Sequence, residues 1–299
     1  INSISNTFIK KIGSNNFCDI WSNRNLYLLS EIYDSILKID NKTYKDILVF
    51  AFLQCLHLTS KMCIPRSDKS KRPLSTSWGR PAYMISDKMF EQNPVLAFEK
   101  AVCNSTGVIS GIKSSEKYLG GKNNSRAIHY LGDSLSILKT FTDESIDMAI
   151  SDPPYGDIIQ YGDLSEVWVA WLEKYDPKYF IDHKKEVIVN KNNDQNKYNK
   201  LLTNILKQVN RVLKNSGVLV LTFNSNSNDD WLSLFKSIKN SGFFIEKVVY
   251  QKNLRSSEAN VAAKEGIAIS DYYFICKKGQ WVDSTIEKIL KERSLELNE

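Results

Sequence analysis

The stretch Ser151-Asp152-Pro153-Pro154-Tyr155-Gly156 directly follows the mainly apolar run 146–150, which is typical of a strand. Two consecutive prolines fix φ and remove two backbone donors, so the strand cannot continue past Asp152. The stretch therefore predicts a stiff, extended turn at the carboxyl end of a strand. In an open α/β sheet this is the end at which ligands bind, and we expect the turn to lie at the surface.

The residue types of this turn suit a flat, amine-bearing ring. Tyr155 offers an aromatic face, while Asp152 and the carbonyls beside the prolines can accept hydrogen bonds from an exocyclic NH2 group. A rigid turn would hold ring and carboxylate at a fixed separation, which fits recognition of a nucleobase. The same tetrapeptide can also end a strand as an ordinary turn without chemistry.

Residues 152–155 resemble the catalytic motif of the amino-methyltransferases that methylate N6 of adenine or N4 of cytosine in DNA. Asp152 as the first letter favours adenine. The runs 161–165 and 167–172 resemble the segment after the motif in a family of adenine-specific DNA methylases, and the resemblance extends, more weakly, from about Phe17 to Lys278. It implies S-adenosylmethionine as cofactor, DNA as partner and catalytic roles for Asp152, Pro153, Pro154 and Tyr155.

Strand and helix signals alternate in the second half of the chain, which favours a parallel-rich α/β sheet. An amphipathic helix over 201–213 is expected to stop at residues 215–217, and 163–172 is a further helix candidate. The order matches the back half of a Rossmann-like methyltransferase sheet. The predicted strands are 127–131, 146–151, 218–223, 243–250 and 272–276.

Apolar residues at helical spacing predict helices over 23–39 and 47–58, while the polar, glycine-containing segment 104–125 predicts a linker. We therefore expect three parts. A mainly helical N-terminal lobe spans 1–122 and includes a basic loop at 61–80, the catalytic α/β half spans 123–279, and a charged helical tail spans 280–299.

The sequence lacks the glycine-rich turn that the resembled enzymes carry. Amino-methyltransferases carry Phe-x-Gly-x-Gly after the first strand because only glycine lets the backbone approach the cofactor closely. No such turn occurs among the 299 residues, and Ile1 is not a methionine. We expect a fragment, a processed product or one half of a split enzyme, completed by a separate or upstream cofactor-binding segment.

Further candidate site residues follow the predicted strands. Asp157, Tyr161 and Asp163 come after the motif and either line the base pocket or are ordinary solvated residues. Asn224 ends the next strand candidate, where the resembled family often shows Phe-x-His-His, so its role is open. Asp133 either contacts the adenosine end of the cofactor or caps a helix.

The segment 61–80 carries six basic residues and one aspartate, together with Trp78. Basic residues interleaved with an aromatic ring suit phosphate contacts and stacking, although a solvated loop explains them equally well. Lys69, Lys71 and Arg72 are the candidate contacts to the DNA backbone. The net charge of +6 is too mild to decide the question.

Composition excludes several other classes of protein. No apolar run approaches the ~20 residues that span a bilayer, and no signal pattern opens the chain. The five cysteines are odd in number and widely spaced, which favours a reducing cytoplasm. His57, His129 and His183 show no metal-ligand spacing, so no metal is expected.

Three interpretations remain open. The first is an adenine-N6 DNA methyltransferase, and the second is a non-catalytic DNA-binding partner or relic that lacks the cofactor turn. The third is a methyltransferase acting on RNA or on a protein amide, which Asp152 makes less favourable because protein acceptors usually go with Asn at that position.

Overall fold

The computed structural model describes residues 16–65, 74–76, 89–119, 127–157, 159–225, 227–252 and 270–281. The chain divides into two compact units. The helical unit comprises Ile1–His129 and Tyr161–Ile181, and the sheet unit comprises Tyr130–Gln160 and Asp182–Glu299. The segment 161–181 thus groups with the N-terminal half of the chain, whereas the predicted three-part division kept it in the catalytic half.

Helices and strands of the described residues are numbered here in chain order. The helices are α1 (Asn23–Leu37), α2 (Lys42–Cys55), α3 (Pro94–Cys103), α4 (Val108–Leu119), α5 (Ser134–Leu138), α6 (Tyr161–Tyr175), α7 (Gln195–Val212) and α8 (Asn228–Asn240), with a short 3-10 helix at Phe17–Ile20. The strands are β1 (Cys63–Pro65), β2 (Leu74–Thr76), β3 (Ile146–Ser151), β4 (Leu213–Phe223), β5 (Phe243–Lys252) and β6 (Ser270–Lys278).

The helical unit packs around an aromatic cluster. The ring centroid of Phe52 lies 4.8 Å from that of Tyr33 and 5.1 Å from that of Trp171, and the Tyr33 hydroxyl donates to the Trp171 carbonyl at 2.6 Å. These residues come from α2, α1 and α6, so α6 is held in this unit by both packing and a part-buried hydrogen bond. Asparagine side chains cap α2 and α3 as acceptors for backbone N–H groups.

The sheet unit contains a four-stranded mixed sheet in the order β3-β4-β6-β5. β3 runs parallel to β4, with Ala149 opposite Leu219 and Ser151 opposite Leu221, while β6 pairs antiparallel with both β4 and β5. The predicted α/β Rossmann-like class is confirmed. The expectation of a parallel-rich sheet is wrong for this half, because β6 enters between β4 and β5 in the opposite direction.

The core of the sheet unit lies between the sheet and the helices α7 and α8. Trp231 is fully buried and contacts Phe223 edge-on at a centroid distance of 5.1 Å. Its indole N–H donates to the Ser225 carbonyl at 2.7 Å, which anchors the start of α8 to the end of β4. The end of β4 is therefore rigidly supported, and this is the edge that carries the candidate site.

Three predicted boundaries are corrected by the structure. Residues 127–131 are exposed and form no strand. The expected linker at 104–125 contains α4, whose apolar residues recur at helical spacing. The expected helix stop at 215–217 lies inside β4 instead, since α7 already ends at Val212.

Among the described residues, no helix has the length and apolar character needed to cross a membrane.

Candidate active site

The turn at residues 152–155 lies at the carboxyl end of β3, as its two prolines predict. Asp152 is exposed, Pro153 is buried, and Pro154 and Tyr155 are partly buried. The expected surface position is therefore correct for the carboxylate but not for the whole turn. The buried part ties the turn to the core and leaves the carboxylate at the solvent boundary.

The carboxylate of Asp152 receives two hydrogen bonds on the same oxygen. The Tyr155 hydroxyl and the Thr222 hydroxyl both donate to Oδ1, the latter at 2.5 Å. Among the described residues, no hydrogen bond reaches Oδ2. One oxygen of Asp152 is thus fixed by the protein, and the other is available to a ligand.

Tyr155 has a half-buried ring and a hydroxyl that serves as a donor. Its ring meets Phe223 edge-on at a centroid distance of 4.9 Å and an interplanar angle of 72°. Burial, followed by the hydrogen bond to Asp152, raises the pKa of Tyr155 above its ordinary value. The hydroxyl therefore remains protonated at physiological pH and holds its bond to the carboxylate.

The two proline carbonyls of the turn differ in their surroundings. The Pro154 carbonyl accepts a hydrogen bond from the hydroxyl of Tyr198 on α7 at 2.7 Å. The Pro153 carbonyl accepts none from the described part of the chain. Within the described part of the chain, the Pro153 carbonyl is thus a second unused acceptor of the turn, besides Asp152 Oδ2.

Gly156 fixes how the chain leaves the turn. Its φ of +56° lies in the left-handed region, and its carbonyl accepts from the Val189 N–H at 3.0 Å. A Cβ at this position would lie 2.2 Å from Oδ1 of Asp230 on α8. Only glycine therefore fits between the turn and this carboxylate.

Asp230 is a buried carboxylate held by neutral donors. It accepts hydrogen bonds from the Ser225 hydroxyl at 2.7 Å and from Gln195 Nε2 at 3.1 Å. Gln195 Nε2 also donates to the Ser233 hydroxyl at 3.0 Å. The network connects the end of β4, the start of α7 and the start of α8 directly beneath Gly156.

Two predicted residues directly follow the motif turn or the neighbouring strand β4. Asp157 is exposed in the turn after Gly156, and Asn224 directly follows β4 and is partly buried. Asp133 caps α5, accepting from the Leu135 N–H at 3.2 Å and from the Ser136 hydroxyl at 2.7 Å.

The hydrogen bond from Ser136 is the main cause that lowers the pKa of Asp133. Helix capping therefore accounts for Asp133, and a contact with the cofactor stays a prediction.

Tyr161 and Asp163 are in the first turn of α6, which belongs to the helical unit. Lys69, Lys71 and Arg72 lie outside the described residues.

Sequence reasoning missed Thr222 and the Asp230 network. Thr222 could have been found from strand register, since the parallel pairing of Ser151 with Leu221 places it beside Asp152.

Two features of the chain bear on a site for S-adenosylmethionine. Both carboxylate oxygens of Asp133 are engaged within its own turn, and the sequence contains no Phe-x-Gly-x-Gly turn. A glycine-rich turn of that kind is what close approach of the backbone to the cofactor requires.

A mixed α/β sheet with an Asp-Pro-Pro-Tyr turn at the carboxyl end of a strand defines a Rossmann-like methyltransferase. The chain belongs to the N6/N4 DNA methylase family, because the family model, described as a DNA methylase, matches residues 146–297, just over half of the chain. The predicted family resemblance is therefore confirmed.

Partial matches among solved structures include one DNA methyltransferase and one candidate DNA modification methylase. PvuII DNA methyltransferase, which is cytosine-N4-specific, is 21% identical with a TM-score of 0.32, and the match covers 51% of this chain and 49% of that one. TTHA0409 from Thermus thermophilus, a candidate DNA modification methylase complexed with S-adenosyl-L-methionine, is 14% identical with a TM-score of 0.30, over 51% and 54% of the two chains. The chain spans about half the length of these structures. No curated protein matches the chain.

Proposed function

We propose that this chain carries the base-binding site of an S-adenosylmethionine-dependent DNA methyltransferase, and that the acceptor is the N6 amine of adenine. One observation supports binding of an exocyclic amine, and Asp152 as the first letter of the motif supports adenine over cytosine. At the end of β3 (Ile146–Ser151), the Oδ2 atom of Asp152 and the carbonyl of Pro153 accept no hydrogen bond from the described residues. By contrast, Oδ1 of Asp152 and the carbonyl of Pro154 both accept hydrogen bonds from the protein. Two acceptors are what an exocyclic amine with two N–H bonds requires.

The proposed mechanism starts from the weak nucleophilicity of that amine, whose lone pair is delocalised into the ring. Hydrogen bonds from its two N–H groups to Asp152 and Pro153 favour a more tetrahedral nitrogen and direct the lone pair away from the ring. The base must leave the duplex to reach the turn, where the half-exposed ring of Tyr155 supports it. The cofactor, when bound, supplies the methyl group, and orientation contributes much of the rate.

A separate or upstream segment is proposed to supply the cofactor site. Among the described strands β3 has a neighbour on one side only, and its residues Met148 and Ile150 are 55% and 72% exposed. Ile128, Tyr130 and Leu131 are exposed as well, in the extended segment that precedes α5. An uncovered strand edge with apolar side chains favours pairing with another segment.

We further propose that the basic segment 61–80 contacts DNA, because it combines a surplus of positive charge with Trp78. A cytoplasmic location is also proposed, because all five cysteines are free thiols. Among the described residues, no observation favours RNA or a protein amide as the acceptor. The missing glycine-rich turn fits the non-catalytic alternative as well, and the assay below separates it from the enzyme.

The test compares substitutions at two acidic residues, one in the motif and one in β3. In a preparation in which the unmodified protein transfers methyl groups to DNA, Asp152→Ala should lower the rate by at least about a hundredfold, because a preorganised acceptor of this kind contributes that much. Asp147→Ala is the control, since Asp147 is in β3 but forms only an exposed ion pair with Lys214. Full activity of Asp152→Ala would remove the proposal.

A further inference from the structure

Thr222 is placed beside the motif by the sheet itself. β4 pairs in parallel with β3, so that Leu221 lies opposite Ser151. The residues that follow them are Thr222 on β4 and Asp152 directly after the end of β3. Thr222 is also paired with Tyr273 of β6, which fixes its backbone from the other side. Its position is therefore set by two strand ladders and not by a loop.

The side chain of Thr222 points to the face of β4 opposite to the buried Leu221 and Phe223. Its hydroxyl donates to Oδ1 of Asp152 at 2.5 Å, on the same oxygen that accepts from Tyr155. A hydrogen bond from a hydroxyl to an ionised carboxylate is shorter and stronger than one between neutral groups. Two such donors on one oxygen restrict rotation of the carboxylate.

We propose that Thr222 is a positioning residue for methyl transfer, whose hydroxyl anchors Oδ1 of Asp152 so that Oδ2 alone faces the amine. The inference rests on the proposed function, because it assigns the orientation of the carboxylate that binds the base. Thr222 itself contacts neither the base nor the methyl group. Without its hydroxyl, Asp152 rotates more freely and its acceptor oxygen is displaced part of the time.

The chemistry of threonine offers a matched pair of substitutions. Thr222→Val keeps the shape and the β-branch but removes the hydroxyl, whereas Thr222→Ser keeps the hydroxyl. Thr203→Val is a control in the same unit, since Thr203 is a buried threonine of α7 that bonds to Ser237 at 3.1 Å, within the helix layer. If the proposal is correct, only Thr222→Val lowers the rate of methyl transfer.

The first readout separates kcat from KM for DNA. Thr222→Val should lower kcat about tenfold or more, as expected when a reacting group is misplaced by a fraction of an ångström, and should leave KM unchanged. Thr222→Ser should restore most of the rate, and Thr203→Val should not change it. A merely structural role would lower the folded fraction without changing kcat per folded molecule.

The second readout does not need activity. In crystal structures, Asp152 should occupy one rotamer in the unmodified protein and in Thr222→Ser, and more than one in Thr222→Val. A single unchanged rotamer in Thr222→Val, or a kcat equal to that of the unmodified protein, overturns the inference. If Asp152→Ala is inactive while Thr222→Val is fully active, only the positioning role fails, whereas full activity of both variants removes the proposed function itself.

Discussion

Replacing Gly156 with alanine should destabilise the sheet unit and displace the motif turn. The residue has a φ of +56°, and its added Cβ would lie 2.2 and 2.3 Å from the two carboxylate oxygens of Asp230. Asp230 cannot withdraw easily, because Ser225 and Gln195 hold it by hydrogen bonds. The new methyl group therefore displaces either the turn or the network beneath it.

The expected loss has two parts. A left-handed backbone costs an L-residue about 1–2 kcal/mol, and forcing an extra carbon into a packed site typically costs about 1–3 kcal/mol, so the free energy of unfolding should fall by about 2–5 kcal/mol. Gly242→Ala isolates the first part, since Gly242 has a φ of +80° but its nearest side-chain atom is Asn210 Nδ2 at 3.4 Å. That control should cost only about 1–2 kcal/mol.

Urea unfolding of both variants measures the two losses, and the difference between them is the steric part. Adding Asp230→Ala to the Gly156→Ala variant should recover about 1–3 kcal/mol relative to additivity, because the clash is then removed. Methyl transfer should fall in Gly156→Ala and persist in Gly242→Ala. Equal losses of stability in the two glycine variants would refute the steric clash between position 156 and Asp230. A double variant whose loss equals the sum of the losses in Gly156→Ala and Asp230→Ala would refute it as well.

Other predictions concern DNA, pH and the cofactor. Neutralising Lys69, Lys71 and Arg72 together should weaken binding to all DNA sequences alike and reduce the salt slope by about 2–3, and an unchanged slope would show a solvated loop. Burial lowers the pKa of His57 to about 3. The unfolded chain therefore binds the extra proton below about pH 6.5, so stability should fall from there towards pH 3 by up to about 1.4 kcal/mol per unit, and His57→Gln should flatten this dependence in urea titrations. The isolated 299 residues should bind S-adenosylmethionine weakly or not at all in calorimetric titration, and micromolar affinity would place the cofactor site within the chain.

The motif turn could be predicted from sequence because local chemistry determines it. Two prolines after an apolar run end a strand in any context, and the acid and aromatic residues then stand at a fixed place. The apolar face of α7 likewise follows from the helical period of its apolar residues. These features depend on neighbours in sequence, and the structure agrees with them.

The remaining features depend on contacts between distant residues. Asp230 is the third residue of a helix and looks like an ordinary acidic residue near a helix N-terminus, yet it lies against Gly156. The insertion of β6 between β4 and β5 leaves the alternation of strand and helix signals unchanged, so its direction could not be inferred. The helix α4 could not be predicted, because the glycine, serine and asparagine residues around its apolar positions are typical of a linker.

The most direct test of the central claim is the identity of the methylated nucleoside. DNA treated with the active protein and isotopically labelled S-adenosylmethionine is digested to nucleosides and analysed by mass spectrometry. The account predicts label in N6-methyldeoxyadenosine, and none when Asp152 is replaced with alanine. Label in N4-methyldeoxycytidine would contradict the assignment of adenine, and label that persists in the Asp152→Ala variant would contradict the assignment of the site.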